Sequence, residues 1–188
     1  AVRIPVVDHQ CRETAELRRV GVTSRGTPVD FNRHVVEADK VVSCCGVVHH
    51  FLAGFGGGGK MLLPGVAGHA SIQHNHGLAL NEGFGAGANP GVRSGNLGPD
   101  NPFHADIVEA ASLCAPCFSL NVVVDDRSRI IKAFAGDWRA AHEAACKLVA
   151  AMDGVPVPRR APLVVASAGG APKDINLYQA VKLLANAL

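Results

Sequence analysis

The chain has 188 residues, of which 48% are hydrophobic, 18% charged and 5% aromatic, with a formal net charge of +2. The apolar content excludes a disordered chain, the length allows a real core without disulfide staples, and the near-neutral charge leaves no basic stripe for nucleic acid. Apolar runs are broken by charges or histidines well short of a membrane span. The 21 glycines and 9 histidines point instead to backbone packed close to a ligand, since glycine ordinarily makes up about 7% of a chain.

In chain order, residues 2–7 read as a strand and residues 13–20 as a short helix ended by Gly21. Residues 23–28 carry turn chemistry, and residues 32–38 read as helical. The run KVVSCCGVV at 40–48 is apolar on both faces, the pattern of a buried and possibly parallel strand. A histidine pair then leads into a glycine-rich loop, and a helix follows the Pro64-Gly65 punctuation. Residues 81–102 form a long Gly- and Pro-rich loop of the kind that is usually functional. An amphipathic helix is expected at 104–113, strands at 118–124 and 130–134, and a turn between them at 125–128. A strong helix spans 137–152.

The stretch DGVPVPRRAP that follows has the composition of a linker. A buried strand is expected at 162–167, and Asp174 is expected to cap a last helix. The pattern is α/β: most of one domain and the start of a second. The chain opens AVRIP without Met and ends inside an apolar helix pattern, so a segment of a longer protein is expected. With no secretion signal, the six cysteines read as reduced thiols in a cytoplasmic protein. The C-A-P-C string at Cys114 and Cys117 reads as structural. A G-x-G-x-x-A string at 83–88 lacks the leading strand of a dinucleotide fingerprint.

The chemistry concentrates in HHFLAGFGGGGKMLLPGVAGHASIQHNH, residues 49–76. Residues 54–60 fit G-x-x-x-x-G-K, a phosphate-cradling loop, but Met61 stands where that motif needs a magnesium-binding hydroxyl. A zinc site from His69, His74 and His76 has loose spacing and no H-E-x-x-H. A third reading takes Lys60 as the residue beside a planar ligand that the glycines admit, with a soft-metal ligand on the next helix.

This stretch resembles the nickel-dependent lactate racemase family, whose pattern is approximately H-F-x-A-G-[FY]-x-G-G-x-K-x-x-x-P-G with a histidine sixteen residues after the lysine. His50 through Lys60, then Pro64-Gly65 and His76, match it. The G-x-T-x-x-G-x-P stretch from Gly21 to Pro28 and the run from Gly169 to Lys182 resemble the family's flanking segments. Gly56 stands where a serine is common.

The resemblance implies a nickel-pincer nucleotide tethered to Lys60, seated on Gly57 and Gly58, with its nickel bound by His76. It implies His50 as the acid/base that serves the substrate hydroxyl, with His49 and His74 as the neighbouring alternatives to His50 and His76. Tyr178, Gln179 and Lys182 are implied to hold a small 2-hydroxy acid by its carboxylate. The implied partners are that substrate and the enzymes that make the cofactor, with no nucleic acid and no membrane. Residues 1–152 correspond to the C-terminal part of the family's cofactor-binding domain, 153–161 to a linker and 162–188 to the start of its second domain. The family's D-x-T-R and G-T-H-R strings, the latter bearing a second acid/base histidine, do not occur here. These 188 residues alone are therefore not expected to racemise a substrate. The competing reading is a P-loop-like or non-catalytic module that binds nucleotide or metal.

Overall fold

The computed structural model describes residues 4–82, 86–159, 161–172 and 174–187, with side chains as far as Lys182. It is a mixed α/β structure, as the sequence pattern predicts. The first two strands, β1 (Leu17–Val22) and β2 (Pro28–Asn32), form an antiparallel hairpin across the 23–27 turn, where Gly26 has φ +82°. The helix expected at 13–20 is not formed. A single 3-10 turn at Thr14–Glu16 leads straight into β1. The β2 backbone supplies cross-strand partners that override the local helical spacing. Residues 4–7, expected as part of a strand, are exposed and unpaired.

Helix α1 (Arg33–Val36) follows, its N-terminus closed by the Asn32 side chain, which accepts the His34 N–H at 3.0 Å. The main sheet then takes β3 (Val42–Gly46), and later β6 (Phe118–Val124) and β7 (Ile130–Gly136), in the order β3-β6-β7. β3 runs parallel to β6, and β7 antiparallel to it. The β6–β7 turn closes where the Asp125 carboxylate accepts the backbone N–H groups of Arg127 and Arg129, both at 2.9 Å. β3 is not buried on both faces as expected. It lies at the sheet edge, and Val42 is 60% exposed because no layer among the described residues covers that side.

Two short strands, β4 (His49–His50) and β5 (Gly54–Phe55), fold the glycine loop back on itself. Helices α2 (His69–Gly77), α3 (Pro102–Ser112) and α4 (Trp138–Asp153) pack around it. α4 buries Trp138, Ala141, His142, Ala145, Cys146 and Val149, the stripe that 3.6 residues per turn puts on one face. Its N-terminus is capped by Asp137, which accepts the N–H groups of Arg139 and Ala140.

Beyond α4 the chain continues as exposed, irregular backbone. The strand expected at 162–167 is not formed: Leu163 and Val165 are 77% and 89% exposed, and no strand among the described residues pairs with them. Helix α5 (Leu177–Ala187) is capped by Asn176, whose side-chain Oδ1 accepts the Gln179 N–H at 2.9 Å, and not by Asp174. The string at 83–88 lies partly outside the described residues. No helix among the described residues is long and apolar enough to cross a membrane.

One buried polar hub ties these pieces together. Asp106, on the buried face of α3, is fully enclosed. Its carboxylate accepts the Thr23 hydroxyl at 2.6 Å, the Thr27 hydroxyl at 2.8 Å and the Asn75 amide at 2.9 Å. Thr27 in turn meets His74 Nδ1 at 2.9 Å. Since the Thr27 proton is committed to Asp106, His74 Nδ1–H is the donor to Thr27. Asp106→Ala strands three buried donors. It should lower the unfolding free energy by about 3 kcal/mol in a urea titration, the scale expected for several unsatisfied buried groups.

Candidate active site

The loop at 54–59 is buried throughout, and three of its glycines have no substitute, the first being Gly54, with φ +76° and its missing Cβ facing the Asn96 backbone. Gly57 has φ +80°, and a Cβ there would stand 3.0 Å from Val47 Cγ2 and 3.2 Å from Cys45 Sγ. Gly58 has φ +56°, and its Cβ would fall 2.5 Å from His142 Cγ. The loop is thus pressed between β3 and α4, and His142 Nε2–H donates to the Gly56 carbonyl at 2.8 Å. A 3-10 turn at Gly58–Met61 then presents Lys60.

Lys60 does not project into a phosphate cradle. The backbone after it makes that single turn, and the next α-helix starts only at His69. The helix N-terminus that a P-loop requires directly after its lysine is missing. Instead Lys60 Nζ lies 3.0 Å from His50 Nε2. The other ring nitrogen of His50 accepts the backbone N–H groups of Leu52 and Ala53, at 3.2 and 3.1 Å.

His76 joins them from α2. Its Nδ1–H donates to the Ile72 carbonyl at 2.8 Å, one turn back on its own helix. That bond leaves the Nε2 lone pair free to bind a metal, the arrangement expected of a ligating imidazole. Phe103 borders both groups: its ring is 5.1 Å from the His76 ring and 6.0 Å from Lys60 Nζ. His74, the neighbouring alternative, is turned away onto Thr27. No group of three His, Cys, Asp or Glu among the described residues is arranged to hold a metal ion, so the three-histidine zinc reading has no geometric support.

The last helix reaches the same place. Lys182 Nζ stands 4.6 Å above the Tyr178 ring and 5.6 Å above Phe51, and the two rings meet edge-on at 6.1 Å. Gln179, between them in sequence, is half-buried. His49 points elsewhere, its ring tilted against Phe55 with centroids 4.7 Å apart and facing Ser94. Of the residues singled out from sequence, His50, Lys60, His76, Tyr178 and Lys182 converge on one locus with Gly57 and Gly58 beneath it.

The electrostatics of the locus are uniform. Burial, followed by the nearby Lys60 and Lys182 charges, pushes the His50 imidazole down to about 4. Burial, followed by Lys182, pushes Lys60 down to about 8. Burial also lowers His76. A collection of basic groups this close calls for an anionic ligand. Lys60 also lines a cavity of about 710 Å³ between the glycine loop, α3 and α4, whose wall includes His104, Trp138, Arg139, His142 and Glu143.

His142 and Asp106 were not singled out as site residues from sequence. Their signal was a polar residue in the buried register of an amphipathic helix, at i+4 from Trp138 and i+3 from Phe103.

These features define an α/β domain that offers a buried amine and a free imidazole lone pair beside a glycine loop. Comparison with known proteins identifies it further. Residues 1–87 match the sequence profile of the lactate racemase N-terminal domain. The chain is 36% identical over 178 residues to the lactate racemase of Lactiplantibacillus plantarum, covering 94% of this chain and 40% of that protein. It is 37% identical over 176 residues to the lactate racemase of Thermoanaerobacterium thermosaccharolyticum, covering 94% of this chain and 39% of that protein. The structure of the lactate racemase apoprotein from the latter organism matches with a TM-score of 0.84, at 37% identity, over 93% of this chain and 40% of that one. A Thermotoga maritima protein at 21% identity shares the fold alone, with a TM-score of 0.59 over 76% of this chain and 38% of that one. The chain is thus similar to lactate racemases over nearly its whole length and spans about 40% of the length of these relatives.

Gly58→Ala forces a side chain into His142 from a left-handed backbone and should cost about 2 kcal/mol in chemical denaturation. His50 and His104 are both pushed down to about 4 by burial. Between about pH 6.5 and pH 4 the unfolded chain therefore binds more protons than the folded one, so stability rises with pH across this window and is lost on acidification. Thermal unfolding measured from pH 7 to pH 4 should show the fall, and His104→Gln should flatten it.

Proposed function

We propose that this chain is the cofactor-bearing part of an isomerase that interconverts the two hands of a small 2-hydroxy acid such as lactate, with Lys60 as covalent tether and His76 as metal ligand. The observation that carries this reading is the convergence of Lys60, His50, His76 and Lys182 on one buried, basic locus. A nickel-pincer nucleotide suits these residues. With a single free imidazole and no three-ligand cluster among the described residues, a metal must arrive with ligands of its own. Sulfur and carbon arms completed by one nitrogen suit nickel. Gly57 and Gly58, packed against Val47, Cys45 and His142, hold the backbone of the loop that presents Lys60.

Such a group, when bound, supplies reversible acceptance of a hydride from the substrate carbon. That chemistry is needed because a hydrogen alpha to an ionised carboxylate is too weakly acidic for any side-chain base. The chain's own residues do the rest. Lys182, held over Tyr178 and Phe51, pairs with the substrate carboxylate, and Gln179 adds an amide beside it. His50 exchanges the hydroxyl proton at Nε2. With Nδ1 occupied by two backbone N–H groups, the neutral ring carries its proton on Nε2 and is set to deliver it to the oxygen of the 2-oxo acid. Taking a proton from the hydroxy acid requires the other tautomer and loosening of the 51–53 turn. The second proton-transfer group of the reaction is supplied from outside these 188 residues. The reading also makes residues 162–188 the opening of a second domain and places the protein in the cytoplasm.

The test is co-production with the enzymes that make the cofactor, followed by peptide mass spectrometry, metal analysis and chiral chromatography of 2-hydroxy acids with the complete polypeptide. An added mass on Lys60 and bound nickel are expected. His76→Ala should keep the mass and lose the metal. His50→Gln should keep both and slow interconversion by about 100-fold or more, the usual scale for a lost acid/base. An unmodified Lys60 overturns the reading.

A further inference from the structure

The hydrogen bonds around His50 leave little freedom in where its proton sits. An atom that accepts two N–H donors cannot itself carry hydrogen, and His50 Nδ1 accepts those of Leu52 and Ala53. The single proton of the neutral ring is therefore on Nε2. That proton lies on the 3.0 Å line to Lys60 Nζ. A lysine ammonium has only donors to offer, so the contact closes only if Nζ presents its lone pair.

We infer that His50 and Lys60 form a donor–amine pair that shifts Lys60 toward its free, nucleophilic amine, so that the chain itself prepares this lysine to be acylated by an activated acyl or thioacyl donor. The inference rests on the tethering role proposed for Lys60 and adds how the bond is made and what His50 does before any substrate arrives. Lys60 is half-buried. The charged group that acts on it most is Lys182 from α5, and no carboxylate of the described residues offsets that repulsion. His76 approaches from α2 with its own Nδ1 committed to Ile72. Across the cavity α4 presents Arg139 and Glu143. Burial and the Lys182 charge both disfavour an ammonium here.

The step is addition and elimination at an acyl carbon that carries an oxygen leaving group, as in an acyl phosphate or acyl adenylate. The Nζ lone pair forms the new C–N bond, and the C–O bond breaks with its electron pair going to the leaving oxygen. One Nζ proton departs to water, because His50 Nε2 already holds one. Nothing is oxidised or reduced. A free carboxylate does not react, since it has no such leaving group.

Competitive labelling with trace acetic anhydride from pH 6 to pH 11 tests the pair, read by peptide mass spectrometry with the exposed Lys40 and Lys147 as internal references. Lys60 should reach half its maximal reactivity near pH 8 and label at pH 7 at least about tenfold faster than Lys40. His50→Gln retains a donor toward Nζ and should keep this early midpoint, whereas His50→Leu should move it up by about one pH unit. Nitrogen-15 NMR of the unmodified chain supplies a second readout that needs no variant: the His50 proton belongs on Nε2. Lys60 titrating together with Lys40, equal behaviour of the Gln and Leu variants, or a proton on Nδ1 each overturns the inference. The two ideas separate cleanly. A fast-labelling Lys60 that never acquires the cofactor mass sinks the tethering role and leaves the pair. A slow-labelling Lys60 that does acquire it sinks the pair alone.

Discussion

A loop without side chains can be pressed between a sheet and a helix more tightly than any other peptide, and residues 56–59 use that allowance in full. Val47 and Cys45 close on Gly57 from β3, and His142 closes on Gly58 from α4. The His142 bond to the Gly56 carbonyl holds the loop at a fixed height above the sheet. Lys60 leaves the loop from this platform, so its direction is set by the backbone packing and not by its own four flexible methylenes. The same packing explains why β3 and α4 must be in place for the site to exist, although neither contributes one of its reactive groups.

Around that platform the protein assembles basic groups and withholds acids. Lys60, His50, His76 and Lys182 share one neighbourhood, and each of the first three is driven toward its neutral form by burial, with help from a positive neighbour. Such an arrangement is unfavourable for the isolated chain and is relieved by an anion. It is the expected signature of a binding site that contributes to function at some expense to stability. The His76 ring and the amine of Lys60 both border the Phe103 ring, which gives the locus an apolar wall.

Much of this was legible in the residues. The helix at α4, the strands at 118–124 and 130–134 and the lysine–histidine spacing followed from apolar period, turn residues and a motif long enough to be specific. The errors have a common cause. Local pattern misleads at residues 13–20, 40–48 and 162–167, because strand formation and burial depend on what lies alongside. β1 found a partner in β2 and displaced a helix. β3 found a partner on one side only, and residues 163–165 found none among the described residues. The hub at Asp106 was invisible for a related reason: its three donors come from positions 23, 27 and 75, and no window of neighbouring residues contains them. Asn176 displacing Asp174 as cap is a shift of two residues within a turn, the ordinary precision of boundary reading.

The reach of Asp106 bears on when the site comes into being. Its bonds to Thr23 and Thr27 span 83 and 79 positions, and the bond to Asn75 spans 31. Contacts this distant in sequence form late, after long loops have closed. Helix α2 can wind as soon as it is made, but its rotation about its own axis, and with it the aim of His76, is settled only when residue 106 has left the ribosome and docked. A growing chain therefore passes through a stage in which Lys60 and His76 are both present and not yet aligned. The mutual placement of these two side chains is one of the last things this part of the polypeptide acquires.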